Sequence, residues 1–130
     1  MLQVNSDGGA RGNPGKAAIG VVIRKEDKVL EEYKEKIGSA TNNIAEYKAL
    51  LKAMELSLKY EKEATFTLDS ELVVKQLLGE YQVKQPHLKL YWQKVRKIEE
   101  KFDRVFYKHK TRWDKFQKMA DKLVNEALDE

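Results

Sequence analysis

The sequence predicts an α/β fold, a mixed five-stranded sheet flanked by helices and folded as one domain over residues 1–130. Two observations carry that expectation. Short stretches of alternating or continuous apolar residues are interrupted by stretches whose apolar period is helical. These stretches follow one another as β-β-β-α-β-α-α-β-α. Strands separated by helices imply parallel neighbours joined by right-handed crossovers, and the early hairpin strands imply antiparallel ones. At 130 residues the chain suffices for one ordinary core and not for two.

LQVNSD, residues 2–7, partly alternates and stops at glycines, so it reads as a strand ending at Asp7. DGGARGNPG reads as a loop, because its four glycines and one proline favour tight turns. AAIGVVIRK and VLEEYKEKIG read as strands joined by a hairpin turn at KEDK. From Asn42 to about Tyr60 the period becomes helical, through Ile44, Tyr47, Leu50, Leu51, Met54 and Leu58. EATFTLD is strand-like and ends at Asp69. SELVVKQLLG is a short helix closed by Gly79, a natural residue just past a helix end. Pro86 opens a helix to about Lys101, since proline suits a first turn. DRVFYKH is a strand, KTRWDKF a loop, and Gln117 to Leu128 a final helix.

Composition narrows the chemistry. Hydrophobic residues at 42% and charged residues at 35% mark a folded globular chain rather than a disordered one. The longest apolar run, Ala17 to Ile23, is far too short to cross a bilayer, and no signal-peptide pattern opens the chain. A cytoplasmic protein with no membrane association and no obligate protein partner is expected. There is no cysteine and there are only two histidines, His87 and His109, which excludes a thiolate site and disfavours zinc. Any bound metal therefore falls to carboxylates, which suit magnesium or manganese. The net charge of +4 is uneven: residues 81–118 hold 12 Lys/Arg against 4 Asp/Glu, interleaved with both tryptophans. That mixture suits a polyanion partner, and equally a solvated helix face over core aromatics.

Asp7 and Asp69 stand at two expected strand ends, where ligands of open α/β sheets gather. Each is also an ordinary turn or helix-capping residue. Glu46 lies near the apolar stripe of its helix, beside Leu50, Ala53 and Met54. A carboxylate there favours a partner such as a cation, or a capping box with Asn43 as N-cap and Glu46 three residues on. Asp121 lies in the last helix, one turn before Val124 and Asn125. Four converging carboxylates would repel one another unless cations neutralised them. That is the electrostatic logic of a two-metal site for phosphoryl displacement.

SDGGARGNPG, TNNIAEYKALL, TLDSELVVKQL and MADKLVNEAL occur in this order, and with them the chain resembles type 1 ribonucleases H from Val4 to about Leu128. The resemblance implies the ribonuclease H-like fold, with the first, fourth and fifth strands parallel. It implies an endonuclease that hydrolyses the RNA strand of RNA–DNA hybrids with two Mg2+ or Mn2+ ions per site, leaving 5′-phosphate and 3′-hydroxyl ends. Asp7, Glu46, Asp69 and Asp121 match the family's metal-binding carboxylates. Gly8, Gly9, Asn13, Thr41, Asn42 and Asn43 match positions that contact nucleic acid. A separate hybrid-binding domain is expected to be absent. The alternatives are a non-catalytic hybrid-binding module of the same fold and a related nuclease that also acts on double-stranded RNA.

The chain departs from the family's pattern in the loop before the last helix. Many relatives have a histidine there, whereas KTRWDKF has none and His109 lies earlier. Arg112, permanently cationic and suited to phosphate, is the expected substitute, with His109 as a strand-end residue. Gln117 stands where relatives often have Asn. Trp92, near Lys94, Arg96 and Lys97, is a candidate for gripping the DNA strand, or a core residue.

Overall fold

The computed structural model describes all residues, Met1–Glu130. Its elements are β1 (Leu2–Gly12), β2 (Gly15–Lys25), β3 (Lys28–Ala40), α1 (Asn42–Ser57), β4 (Glu63–Leu68), α2 (Glu71–Leu77), α3 (Pro86–Glu99), β5 (Arg104–His109) and α4 (Lys115–Asp129). The strands lie in the order β3-β2-β1-β4-β5. β1, β4 and β5 run parallel, and β2 is antiparallel to both β1 and β3. The parallel pairs are those whose connections contain helices, as crossover connections require.

Alternation along β1 sends its residues to two different layers. Leu2 and Val4 face α1 and join a core with Val21, Ile23, Tyr47, Leu50, Met54 and Phe66, closed by residues of α2 and α3. Phe66 meets Phe102 edge-on at 5.8 Å, the arrangement aromatic quadrupoles favour. On the other face α4 packs across β1, β2 and β3, burying Gln117, Ala120, Val124 and Ala127 at helical spacing. Asn5 and Asp7 point towards that layer, since side chains two apart share a face.

Several boundaries differ from the sequence expectation. β1 does not end at Asp7: it pairs with β2 through Asp7↔Gly20 as far as Gly12↔Gly15. The expected glycine loop is thus mostly strand, with only Asn13 and Pro14 in the turn. A long ladder partner outweighs the local glycine signal, because strand preference depends on neighbours more than on the residue itself. Thr41, not Asn43, caps α1, its hydroxyl accepting from Ile44 N at 3.2 Å. Glu46 is therefore not part of a capping box. α4 begins at Lys115 rather than Gln117, because Asp114 accepts from the Phe116 and Gln117 N–H groups at 3.1 Å each. α1 and α3 each stop a few residues short, at Ser57 and Glu99.

Candidate active site

The parallel ladder between β1 and β4 stops at Ser6↔Leu68, so the next residues, Asp7 and Asp69, emerge together at its end. Ser70 takes the N-cap of α2, its hydroxyl accepting from Val73 N at 3.2 Å. Asp69 is thereby released from capping. Two glycines then let helices approach from both faces. A Cβ on Gly8 would lie 2.2 Å from the carbonyl oxygen of Ala45, so α1 comes down at the residue before Glu46. A Cβ on Gly20, the ladder partner of Asp7, would lie 2.4 Å from the carbonyl oxygen of Ala120. α4 therefore comes down at the residue before Asp121.

The outcome is one open cleft of about 440 Å3 lined by Asp7, Glu46, Asp69 and Asp121, together with Gly8, Gly9, Asn42, Asn43 and Arg112. A hollow of about 500 Å3 elsewhere, lined by Trp92, Tyr81, Lys84 and Lys89 among others, carries no acidic side chain. The cleft with Asp7 is the one that gathers four candidate carboxylates.

Asp7 and Glu46 are almost fully buried, at 6% and 7% exposure. Glu46 Oε1 accepts from Gly8 N at 2.7 Å. Its Oε2 is buried without a donor, and the carboxyl group as a whole is in contact with that of Asp7. Two acceptors can share only a proton or a cation. Burial first, and the charges of Asp121 and Asp69 after it, push Asp7 up to about 7 against the lowering contact with Glu46. Burial, followed by the charge of Asp7, pushes Glu46 well above the usual carboxylate range. The donor set is all oxygen, which fits a hard divalent cation. No three acidic or histidine side chains are drawn together as a closed cage. Magnesium ordinarily keeps waters and takes substrate oxygens besides, so an open set of carboxylates suits it.

The other expected residues divide. Asn13 and Asn42 bind each other's neighbourhood: Asn13 Oδ1 accepts from Asn42 N at 3.0 Å, and Asn42 Oδ1 accepts from Ala10 N at 2.9 Å. Each spends its carbonyl on the hairpin–helix junction and keeps its NH2 as a donor. Asn43 lines the cleft, and Thr41 is engaged as the cap. Gly9 borders the cleft with room for a Cβ, the nearest atom being Val124 Cγ1 at 3.5 Å. Arg112 lines the cleft, whereas His109 sits at the end of β5 with Nε2 3.0 Å from the Asp69 carbonyl. Trp92 is not brought there: it packs against the main core, with Arg96 Cζ 5.1 Å from its ring centroid. Sequence reasoning missed Arg11, Ser70 and Asn125 as cleft residues. Asn125 Nδ2 donates to the Asp121 carbonyl at 3.2 Å, and its place one turn after Asp121 was the available signal.

Comparison with known proteins places the fold in a family. A family profile described as reverse transcriptase-like matches residues 5–127. The crystal structure of LC11-RNase H1 in complex with an RNA/DNA hybrid superposes with a TM-score of 0.92 at 41% identity, covering 99% of this chain and 97% of that one. Ribonuclease HI of Halobacterium salinarum is 38% identical over 126 residues, 95% of this chain and 62% of its own length. The bifunctional protein Rv2228c of Mycobacterium tuberculosis is 39% identical over 129 residues, 97% of this chain. The chain spans only 35% of that relative's length.

Proposed function

The chain belongs to the type 1 ribonuclease H family, and from that premise we propose that it is an endonuclease hydrolysing the RNA strand of RNA–DNA hybrids. One observation carries the reading: four carboxylates from β1, α1, α4 and the end of β4 line a single cleft beside asparagine donors and an arginine. A module that merely bound hybrids would gain nothing from acids facing phosphates.

Members of this family generally depend on divalent metal, and here Asp7, Glu46, Asp69 and Asp121 are the residues that would hold it. Divalent cations bound there supply water activation and charge neutralisation at the departing 3′ oxygen. The chain's own groups do the rest. Glu46, pinned by Gly8 N, presents an Oε2 that no protein donor satisfies, and Asp7 lies beside it in the cleft. Asp69, at the strand end, and Asp121, from the opposite layer, line the same cleft. The amide N–H groups of Asn13, Asn42 and Asn43 suit minor-groove edges and 2′-hydroxyls, which distinguish RNA from DNA. Arg112 brings a permanent positive charge to the phosphate side of the cleft. The products carry 5′-phosphate and 3′-hydroxyl ends. No helix is long and apolar enough to cross a membrane.

One gel tests this. Labelled RNA is supplied as hybrid, single strand and duplex RNA with Mg2+, Mn2+ or EDTA, for wild type and Asp69→Asn. Cutting confined to the hybrid RNA strand, abolished by EDTA and by Asp69→Asn, is expected. Hybrid cutting that survives EDTA would sink the metal reading, and an uncut hybrid would sink the activity.

A further inference from the structure

Gln117 is fully buried and Asn5 is 3% exposed, in a layer where the neighbouring helix residues are alanine and valine. Burying two amides between a sheet and a helix is costly unless each is bonded. Here Asn5 Nδ2 donates to Gln117 Oε1 at 3.1 Å, and Gln117 Nε2 donates to the Ser6 carbonyl at 2.9 Å. A leucine would cover the same surface. The amides do what leucine cannot, which is to choose one height of the helix along the strand.

We propose that this buried bridge sets the position of α4 on β1 and so holds Asp121 opposite Asp7, making Gln117 and Asn5 positioning residues for the cation-binding acids. The inference rests on the reading of those acids given above. Asp7 follows Asn5 by two residues on the same face of β1, an advance of about 6.8 Å along a strand. Asp121 follows Gln117 by four residues on the same face of α4, an advance of about 6 Å along a helix. The two steps nearly match, so joining Asn5 to Gln117 places Asp7 and Asp121 at the same level. Gly20 permits the approach at that level, and Asp121 is close enough to act electrostatically on Asp7. A helix held only by Ala120, Val124 and Ala127 could slide by a fraction of a turn, since small apolar contacts are non-directional.

The test measures metal binding without nucleic acid. Mn2+ is titrated calorimetrically into wild type, Gln117→Leu, Asn5→Ala and Ala127→Gly, and thermal midpoints are recorded beside KM for a hybrid. Gln117→Leu is expected to weaken Mn2+ binding by about tenfold or more, the usual scale for losing a group that orients ligands. Asn5→Ala moves it the same way, and it keeps the Gln117–Ser6 bond should Gln117→Leu fail to fold. KM stays near wild type, because the asparagine donors lie on other elements. Ala127→Gly lowers the midpoint and leaves Mn2+ affinity unchanged. Wild-type Mn2+ affinity in Asn5→Ala and in any folded Gln117→Leu overturns the proposal, as does an equal loss in Ala127→Gly, which would mark general loosening of α4. A wild-type chain that binds no Mn2+ overturns the reading of the acids themselves, and the proposal with it.

Discussion

Asp7 and Glu46 are buried acids served by a single backbone donor, Gly8 N–H. This makes the metal-free protein sensitive to pH in a direction that can be worked out. Asp7 titrates near 7 in the fold against 3.8 as its ordinary value, and Glu46 shifts the same way. Between these limits the folded chain holds more protons than the unfolded one, so stability falls as pH rises. The contribution is whole below about pH 4 and lost through about pH 7. Exposed acids held below their ordinary value by lysines, such as Glu61 beside Lys25, shift the opposite way and are screened by solvent. In EDTA the thermal midpoint is therefore expected to decline from about pH 4 to about pH 7, with Mg2+ removing the decline and Asp7→Asn flattening it. A level profile in EDTA would contradict this account of the cleft. Arg112→Ala is expected to lower kcat on hybrid, and unchanged turnover would leave that loop without its assigned charge.

Among the elements, adjacent glycines of β1 have different duties although they look alike in sequence. Gly8 lies under the backbone of α1, and its added Cβ would collide with a carbonyl that cannot rotate away. Gly9 looks towards Val124 at ordinary contact distance. Gly8→Ala is expected to destabilise by about 1–3 kcal/mol through overpacking, and Gly9→Ala to stay within about 0.5 kcal/mol. Denaturant midpoints for the two variants check the contrast, and equal losses would show that α1 is not seated on Gly8. Helix caps work at this scale too. Because Thr41 and Ser70 take the capping roles, Glu46 and Asp69 are left for the cleft. The bland sequence readings of these acids as capping-box partner and N-cap fail for that local reason.

The whole molecule separates its charge. The acids gather at one end of the sheet, while residues 81–118 carry the basic excess across α3, β5 and the loop leading into α4. Hybrid affinity measured in Ca2+ should fall steeply with salt, with a log–log slope of roughly −0.9 per phosphate contact on a duplex. A slope near zero would mean that this basic tract faces away from the substrate. The sequence by itself determined the element order, the mixed sheet and the identity of the candidate acids, because apolar period and short motifs are local properties that survive in a string. It also read Pro86 and Gly79 correctly as the start of one helix and the end of another. It did not determine that Gly8 and Gly20 seat two helices, that Gln117 bridges to Asn5, or that Trp92 belongs with the core. Those facts depend on which backbones touch across the sheet, with 112 residues separating Gln117 from Asn5. Contact at that range is decided by packing, and no neighbouring residue in the chain records it.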